Sequence, residues 1–156
     1  MLCTRLESTR SSLEDAQSAD AVIIGSGIQT REVVENHELM ARLELDPERQ
    51  LIGAQCSGTL ILAKLGLLGN VPACTDLTIK PWVLEAGVEV LNQPFYAQGN
   101  VATAGGLASP YLAAWIIART EGIAAAAAPL PYVAPVGEKD EYVFRAMNNI
   151  SPYLPL

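Results

Sequence analysis

Cys56 is the residue on which a chemical reading of this chain turns. It closes the run Leu51-Ile-Gly-Ala-Gln-Cys-Ser-Gly58, in which an apolar strand ends at a cysteine, a small residue and a glycine follow, and a helix begins. This is the layout of a nucleophile elbow, a tight and strained turn that projects one side chain into a cleft and needs small neighbours because the backbone is crowded there. The amino end of the following helix would supply positive potential and free backbone N–H groups. Both would lower a thiol pKa and cradle a developing oxyanion, with the N–H of Ser57 as one donor. The alternative is that Cys56 is a buried small hydrophobe, as most free cysteines are.

Four other places carry polar or permissive residues. Gly25-Ser26-Gly27 follows an apolar run and invites comparison with a dinucleotide-binding fingerprint. Thr30 stands where the third glycine would be, and no acidic residue ends a second strand about 20 residues on, so a cleft-lining turn with oxyanion donors is the better reading. Asp76 follows the short stretch Ala73-Cys-Thr75, where a strand-end carboxylate could orient a nucleophile or position water, and could equally cap a helix. Gly105-Gly106 permits close backbone approach, to a substrate in the pocket or merely to the adjacent helix, the second being favoured. His37 lies in the charged run Glu35-Asn-His-Glu38 and reads as a solvated surface histidine rather than a base.

These residues need a scaffold. Ala21–Ile24 and Gln50–Gln55 read as buried parallel strands. Val71–Thr75, Val88–Leu91 and the Tyr96–Thr103 region read as three further strands. Helical segments are expected over Thr30–Leu45, Thr59–Leu65, Lys80–Ala86 with Pro81 in its first turn, Ala108–Thr120 and Glu138–Asn149. Ala124–Ala128 is low in complexity, and the three prolines of 129–137 suggest a linker before the closing helix of about 138–149. Strands alternating with helices imply an α/β domain with a mainly parallel sheet and one core, whose site lies at the carboxyl ends of the strands.

Composition removes whole classes of function. The 156 residues suit one domain, and 50% hydrophobic against 17% charged residues is the balance of a globular chain. Ten basic against seventeen acidic residues leave a net charge of −7, so no basic excess exists to neutralise nucleic-acid phosphates or an anionic membrane. One histidine excludes His-rich metal chemistry, and three scattered cysteines (Cys3, Cys56, Cys74) suggest neither a disulfide framework nor zinc. No cofactor or metal is expected. The polar first twenty residues lack the form of a signal peptide, and the long uncharged stretch Val90–Ala118 is interrupted by Asn, Gln, Pro and Gly. A cytoplasmic protein with no membrane span is the expectation.

Taken in order, AVIIGSG, IGAQCSGTLILAKLGLLGN, VPACTDLTIKPW and VATAGGLASPYLAAWIIA resemble the DJ-1/PfpI (ThiJ) family of the class I glutamine amidotransferase-like superfamily, over about residues 15–122. The resemblance implies a flavodoxin-like three-layer α/β sandwich, a homodimer, and a reactive elbow cysteine at Cys56. It implies a small-molecule substrate or ligand, without fixing the reaction, because members include isonitrile hydratases, glyoxalase-like enzymes, stress-response proteins and sensor domains of AraC-type regulators. Two departures bear on chemistry. Many members carry Thr-Thr-His after the elbow helix, whereas this chain reads Cys74-Thr75-Asp76. A carboxylate there would raise the thiol pKa by like-charge repulsion, which disfavours a Cys-His protease mechanism. Members also begin with a strand and a helix bearing an acidic residue that bonds the cysteine. No residue here matches it, and Glu14 and Asp15 are near only in sequence, so the amino-terminal strand and helix are expected to be missing or supplied by a partner chain.

Two readings follow. In one, Cys56 attacks a small electrophilic carbon as a hydrolase, hydratase or lyase, with Asp76 positioning water and the N–H groups of Ser57 and of Gly25, Ser26 and Gly27 holding the negative charge. In the other, the domain binds a ligand or senses oxidants without catalysis.

Overall fold

A computed structural model describes residues 12–155. Four strands, β1 (Ala21–Ile24), β2 (Leu51–Gln55), β3 (Phe95–Gln98) and β4 (Val101–Ala104), form one sheet in the order β1-β2-β4-β3. β1, β2 and β4 run parallel, with Ile24 beside Ala54 and Gln55 beside Ala104, so their carboxyl ends lie together. β3 is antiparallel to β4. The sequence reading of Tyr96–Thr103 as a single strand is therefore corrected to a hairpin. Gly99 turns the chain at φ 60°, and Arg119 donates to the Gly99 carbonyl at 2.8 Å and to Asn100 Oδ1 at 2.6 Å, holding the turn.

Period-2 alternation along the strands sends side chains to two faces. On one face Ile52, Ala54 and Val101 pack with Leu60 and Leu62 of α3 (Gly58–Lys64) and with Val83 of α4 (Lys80–Glu85). On the other, Phe95, Ala97, Ala102 and Ala104 pack with Leu112 and Trp115 of α5 (Ser109–Glu121) and with Ala146 and Ile150 of α8 (Lys139–Ile150). Gly53 lets α5 sit directly on β2, since a Cβ there would stand 2.9 Å from Leu112 Cδ1. Helices on both faces of a mainly parallel sheet make the three-layer α/β sandwich that the sequence implies, with a buried cluster on each face where a single core was expected.

The short elements depart from expectation for local reasons. Thr30–Leu45 is two helices, α1 (Thr30–Glu35) and α2 (His37–Ala41), because Asn36 leaves helical geometry and its Oδ1 accepts the Leu39 N–H at 3.0 Å. Val71–Thr75 and Val88–Leu91 meet only in a parallel bridge between Ala73 and Val90, too brief for a strand. The low-complexity and proline-rich stretches form helical turns, α6 (Ile123–Ala127) and α7 (Leu130–Val133), prolines being tolerated in a first turn. The expectation of a missing amino-terminal strand falls on chain before β1, of which residues 1–11, with Cys3, lie outside the described residues. No helix among the described residues is long and apolar enough to cross a membrane.

Candidate active site at Cys56

The Cys56 N–H donates to Ala104 O at 2.7 Å, one hydrogen bond beyond the β2–β4 pairing, and the chain then turns sharply into α3. Cys56 makes that turn at φ 55°, the left-handed conformation, and is the one non-glycine residue among those described to adopt it. For a residue with a Cβ this costs about 1–2 kcal/mol, which the surroundings must offset. They do so on both sides. Thr75 Oγ1 donates to the Cys56 carbonyl at 2.8 Å, and Gly58 brings α3 against the end of β1, where any Cβ would collide with Ile24 O and Gly25 O.

Thr59 Oγ1 donates to Cys74 O at 2.9 Å, and the Cys74 N–H donates to Thr103 Oγ1 at 2.8 Å. The segment before Asp76 is thereby fixed between α3 and β4. Asp76 itself uses both oxygens. Oδ1 accepts the N–H groups of Thr78 and Ile79 at 2.7 and 3.2 Å, capping the turn that leads into α4, while Oδ2 accepts from Cys56 Sγ at 2.8 Å. Asp76 thus caps that turn and touches the sulfur at once.

That geometry sets the proton positions. Burial pushes the Cys56 thiol above its ordinary pKa, and the hydrogen bond to Asp76 and the negative charge of that carboxylate push it further. The Ser26 hydroxyl and the Ser57 N–H act in the opposite direction without prevailing. Of the two opposing influences read in the sequence, the helix amino end and the carboxylate at position 76, the carboxylate prevails, with burial as the largest cause. For Asp76, burial alone would raise the pKa. The hydrogen bonds from Cys56, Thr78 and Ile79 outweigh it and hold the carboxyl below its ordinary value. The resting pair is a thiol donating to a carboxylate.

The glycine turn after β1 is tied to the cysteine turn through Ser57, whose hydroxyl points away from α3. Ser57 Oγ accepts the Gly27 N–H at 3.0 Å and lies 2.9 Å from Thr30 Oγ1 and 3.2 Å from Ser26 Oγ. Thr30 Oγ1 in turn donates to Gly27 O at 2.7 Å. The Gly27 N–H is therefore committed and not free for an oxyanion. Thr30 had no mark in the sequence reading beyond occupying a would-be glycine position; a buried threonine six residues beyond a strand end was the available signal.

A pocket of about 300 Å³ opens on the sulfur, lined by Ser26, Gly27, Cys56, Ser57 and Asp76 together with Thr30, Arg31 and Trp82. Gly25, Gly105 and Gly106 do not line it. Gly105 instead packs on backbone, since a Cβ would stand 2.5 Å from Thr75 O, and Gly106 O accepts from Gln55 Nε2 at 2.5 Å. A larger cleft, about 580 Å³, lies beside this pocket and holds exposed His37, remote from the sulfur's own lining. Cys74 is fully buried, and burial pushes its thiol up to about 12, so it is inert at neutral pH. Among the described residues no three His, Cys, Asp or Glu side chains gather as a metal site.

An α/β sandwich with a strained cysteine at the end of a central strand defines a recognisable class, and the comparison with solved structures narrows it. The chain is similar to a two-domain protein with DJ-1/ThiJ/PfpI-like and ferritin-like domains from Anabaena variabilis, at 24% identity and TM-score 0.53 over 66% of this chain and 29% of that one. It is similar to DJ-1 of Schizosaccharomyces pombe, at 21% identity and TM-score 0.51 over 88% of this chain and 67% of that one. It is also similar to a candidate transcriptional regulator from Vibrio parahaemolyticus, at 20% identity and TM-score 0.63 over 74% and 64%. The chain spans under a third of the first of these proteins and about two thirds of the other two. No family model matches the chain, and no curated protein matches it with significance. The fold is that of the DJ-1/ThiJ/PfpI proteins.

Proposed function

We propose that this chain is a DJ-1/PfpI-like protein in which Cys56, on a nucleophile elbow, attacks a small electrophilic carbon such as an aldehyde, nitrile or isonitrile, in a hydrolase, hydratase or lyase reaction. The observation that carries this reading is the strained Cys56 with its sulfur 2.8 Å from Asp76 at the floor of an open pocket. Because the resting thiol holds its proton, attack requires a base to take it, and Asp76 stands within reach. The sulfur lone pair forms the S–C bond as the thiol proton passes to Asp76 Oδ2, and the electron pair of the C=X bond moves to X, beside the Ser57 N–H and the Ser26 hydroxyl. Asp76 then returns that proton to X. In the second step the same carboxylate takes a proton from water as the water oxygen bonds to the carbon, the C–S bond breaks, and the departing sulfur takes the proton held by Asp76, which frees the hydrated product and restores the thiol. No cofactor enters this scheme. The resemblance suggests a homodimer, while the acidic charge balance and scattered cysteines suggest a cytoplasmic protein without a nucleic-acid or membrane partner.

Aspartate at position 76, where the family's histidine would stand, favours a second reading, a ligand-binding or redox-sensing domain in the manner of regulator sensor domains or stress-response members. In its redox-sensing form a peroxide would oxidise the Cys56 thiol to a sulfenic acid and itself be reduced to water, slowly while the thiol keeps its proton. One experiment separates the two. A panel of small aldehydes, nitriles and isonitriles is followed by NMR with the wild type, Cys56→Ala and Cys74→Ala. Turnover lost only in Cys56→Ala supports the first reading, and turnover unchanged in Cys56→Ala removes Cys56 from the mechanism. No turnover on any of them, with peroxide-dependent sulfenate at Cys56, supports the second.

A further inference from the structure

Arg31 and Trp82 take no part in the chemistry above, yet both line the Cys56 pocket and both line the larger cleft beside it. They form the wall between the two spaces. Arg31 projects from α1 and Trp82 from α4, and the guanidinium carbon lies 3.8 Å from the centre of the indole ring. At that distance the cation lies over the face of the indole ring in a cation–π contact, which restrains the side chain's position without using its N–H donors. Among the described residues no carboxylate or carbonyl accepts from it. A guanidinium held in place on the pocket wall, sharing that pocket with Cys56, suits bidentate recognition of a carboxylate or similar oxyanion.

Charge elsewhere in the pocket says where that group must sit. Asp76 is ionised at the sulfur, so an anion bonded directly to the reacting carbon would be repelled. An anionic group held away from that carbon, on the Arg31 side, would be attracted. On the far side of the wall the larger cleft carries Glu35 and Glu85 as well as His37 and Lys64, so Arg31 is the cation placed between the carboxylates of the two spaces.

Resting on the reading of Cys56 as a reactive thiol, we infer that Arg31, oriented by Trp82, is a specificity-determining residue for small electrophiles that carry a carboxylate or comparable anionic group several bonds from the reacting carbon.

The test uses the full chain and two thiol reagents with the same reactive ring, neutral N-ethylmaleimide and anionic maleimidobutyrate, whose carboxylate lies at the end of a short flexible arm. Modification is followed at the Cys56 peptide by mass spectrometry, so the other cysteines do not interfere. The quantity read is the ratio of the anionic to the neutral rate. In Arg31→Gln this ratio should fall by about fivefold, the scale of one partly exposed ion pair. Arg31→Lys, which keeps the charge and loses the planar fork, should restore part of it, and raising the salt concentration should erase the difference between wild type and Arg31→Gln. Arg145→Gln, on α8 across the sheet, removes the same charge and should leave the ratio unchanged. An equal ratio in wild type and Arg31→Gln overturns the inference, as does an equal fall in Arg145→Gln, which would reduce the effect to net charge. The neutral rate alone reports on Cys56, so a sulfur that resists both reagents refutes the nucleophile reading, and a reactive sulfur with an unchanged ratio refutes only the role of Arg31.

Discussion

Replacing Ser57 by alanine should loosen the junction on which the site depends, by an amount the hydrogen bonds allow to be worked out. Ser57 Oγ accepts the Gly27 N–H and adjoins the hydroxyls of Thr30 and Ser26. Ser57 and Thr30 are each 4% exposed, so water does not readily reach the contact between their hydroxyls, whereas Ser26 and Gly27 are exposed and can turn to solvent. Thr30 keeps its bond to Gly27 O in the variant. The loss is one buried hydroxyl contact together with a bond to the Gly27 N–H that water replaces in part, costing about 1–3 kcal/mol. At the midpoint of that range the melting temperature of a chain this long falls by roughly 4–8 °C. Urea unfolding should show a lower midpoint at an unchanged m-value, and hydrogen exchange should show lost protection at the Gly27 amide. Ser26→Ala should cost less than about 0.5 kcal/mol. Ser57→Ala combined with Thr30→Val should cost less than the two singles added, since both disrupt one network. A Ser57→Ala variant within about 0.5 kcal/mol of wild type, or full additivity with Thr30→Val, would refute the reading of Ser57 as the tie between the two turns.

The same geometry sets three further outcomes. Asp76→Asn removes the charge that helps hold the thiol proton, so the pH midpoint of Cys56 alkylation by a neutral reagent should move down; an unchanged or higher midpoint would show that Asp76 does not control the sulfur. The sign differs for stability: with its folded pKa lowered, Asp76 contributes stability above its unfolded value of ~3.9, lost as pH falls through the folded value, and Asp76→Asn should flatten that acid limb in urea titrations. Gly58→Ala and Gly105→Ala force a Cβ onto backbone oxygens and should each cost about 1–3 kcal/mol, while Gly25→Ala, with nothing within 4 Å of its Cβ position, should stay within about 0.5 kcal/mol. Equal unfolding midpoints for the three variants would remove the close approach as the reason for those glycines.

Much of this fold is legible in the sequence because it is encoded locally. Apolar runs ending in small residues mark β1 and β2, alanine and leucine density marks α5, and strand–cysteine–small–glycine–helix marks the turn at Cys56. Misread elements are those where a single residue competes with the periodic pattern. Asn36 splits a helix by bonding its own backbone, and Gly99 folds one apparent strand into a hairpin whose turn is held by Arg119, twenty residues away along the chain.

The sequence by itself determined the class of scaffold and marked Cys56 as the candidate at its sharp turn, because both depend on residue type and short-range order. Only the tertiary structure decided how near the Asp76 carboxylate stands to the sulfur and how far burial adds to its effect. The 2.8 Å approach of Asp76 to Cys56 joins residues twenty positions apart, and a thiol pKa follows burial and the nearest charge rather than the helix that the local sequence promises. The same holds for the stacking of Arg31 on Trp82: two surface-type residues in unrelated helices become one wall of a pocket only when the layers close.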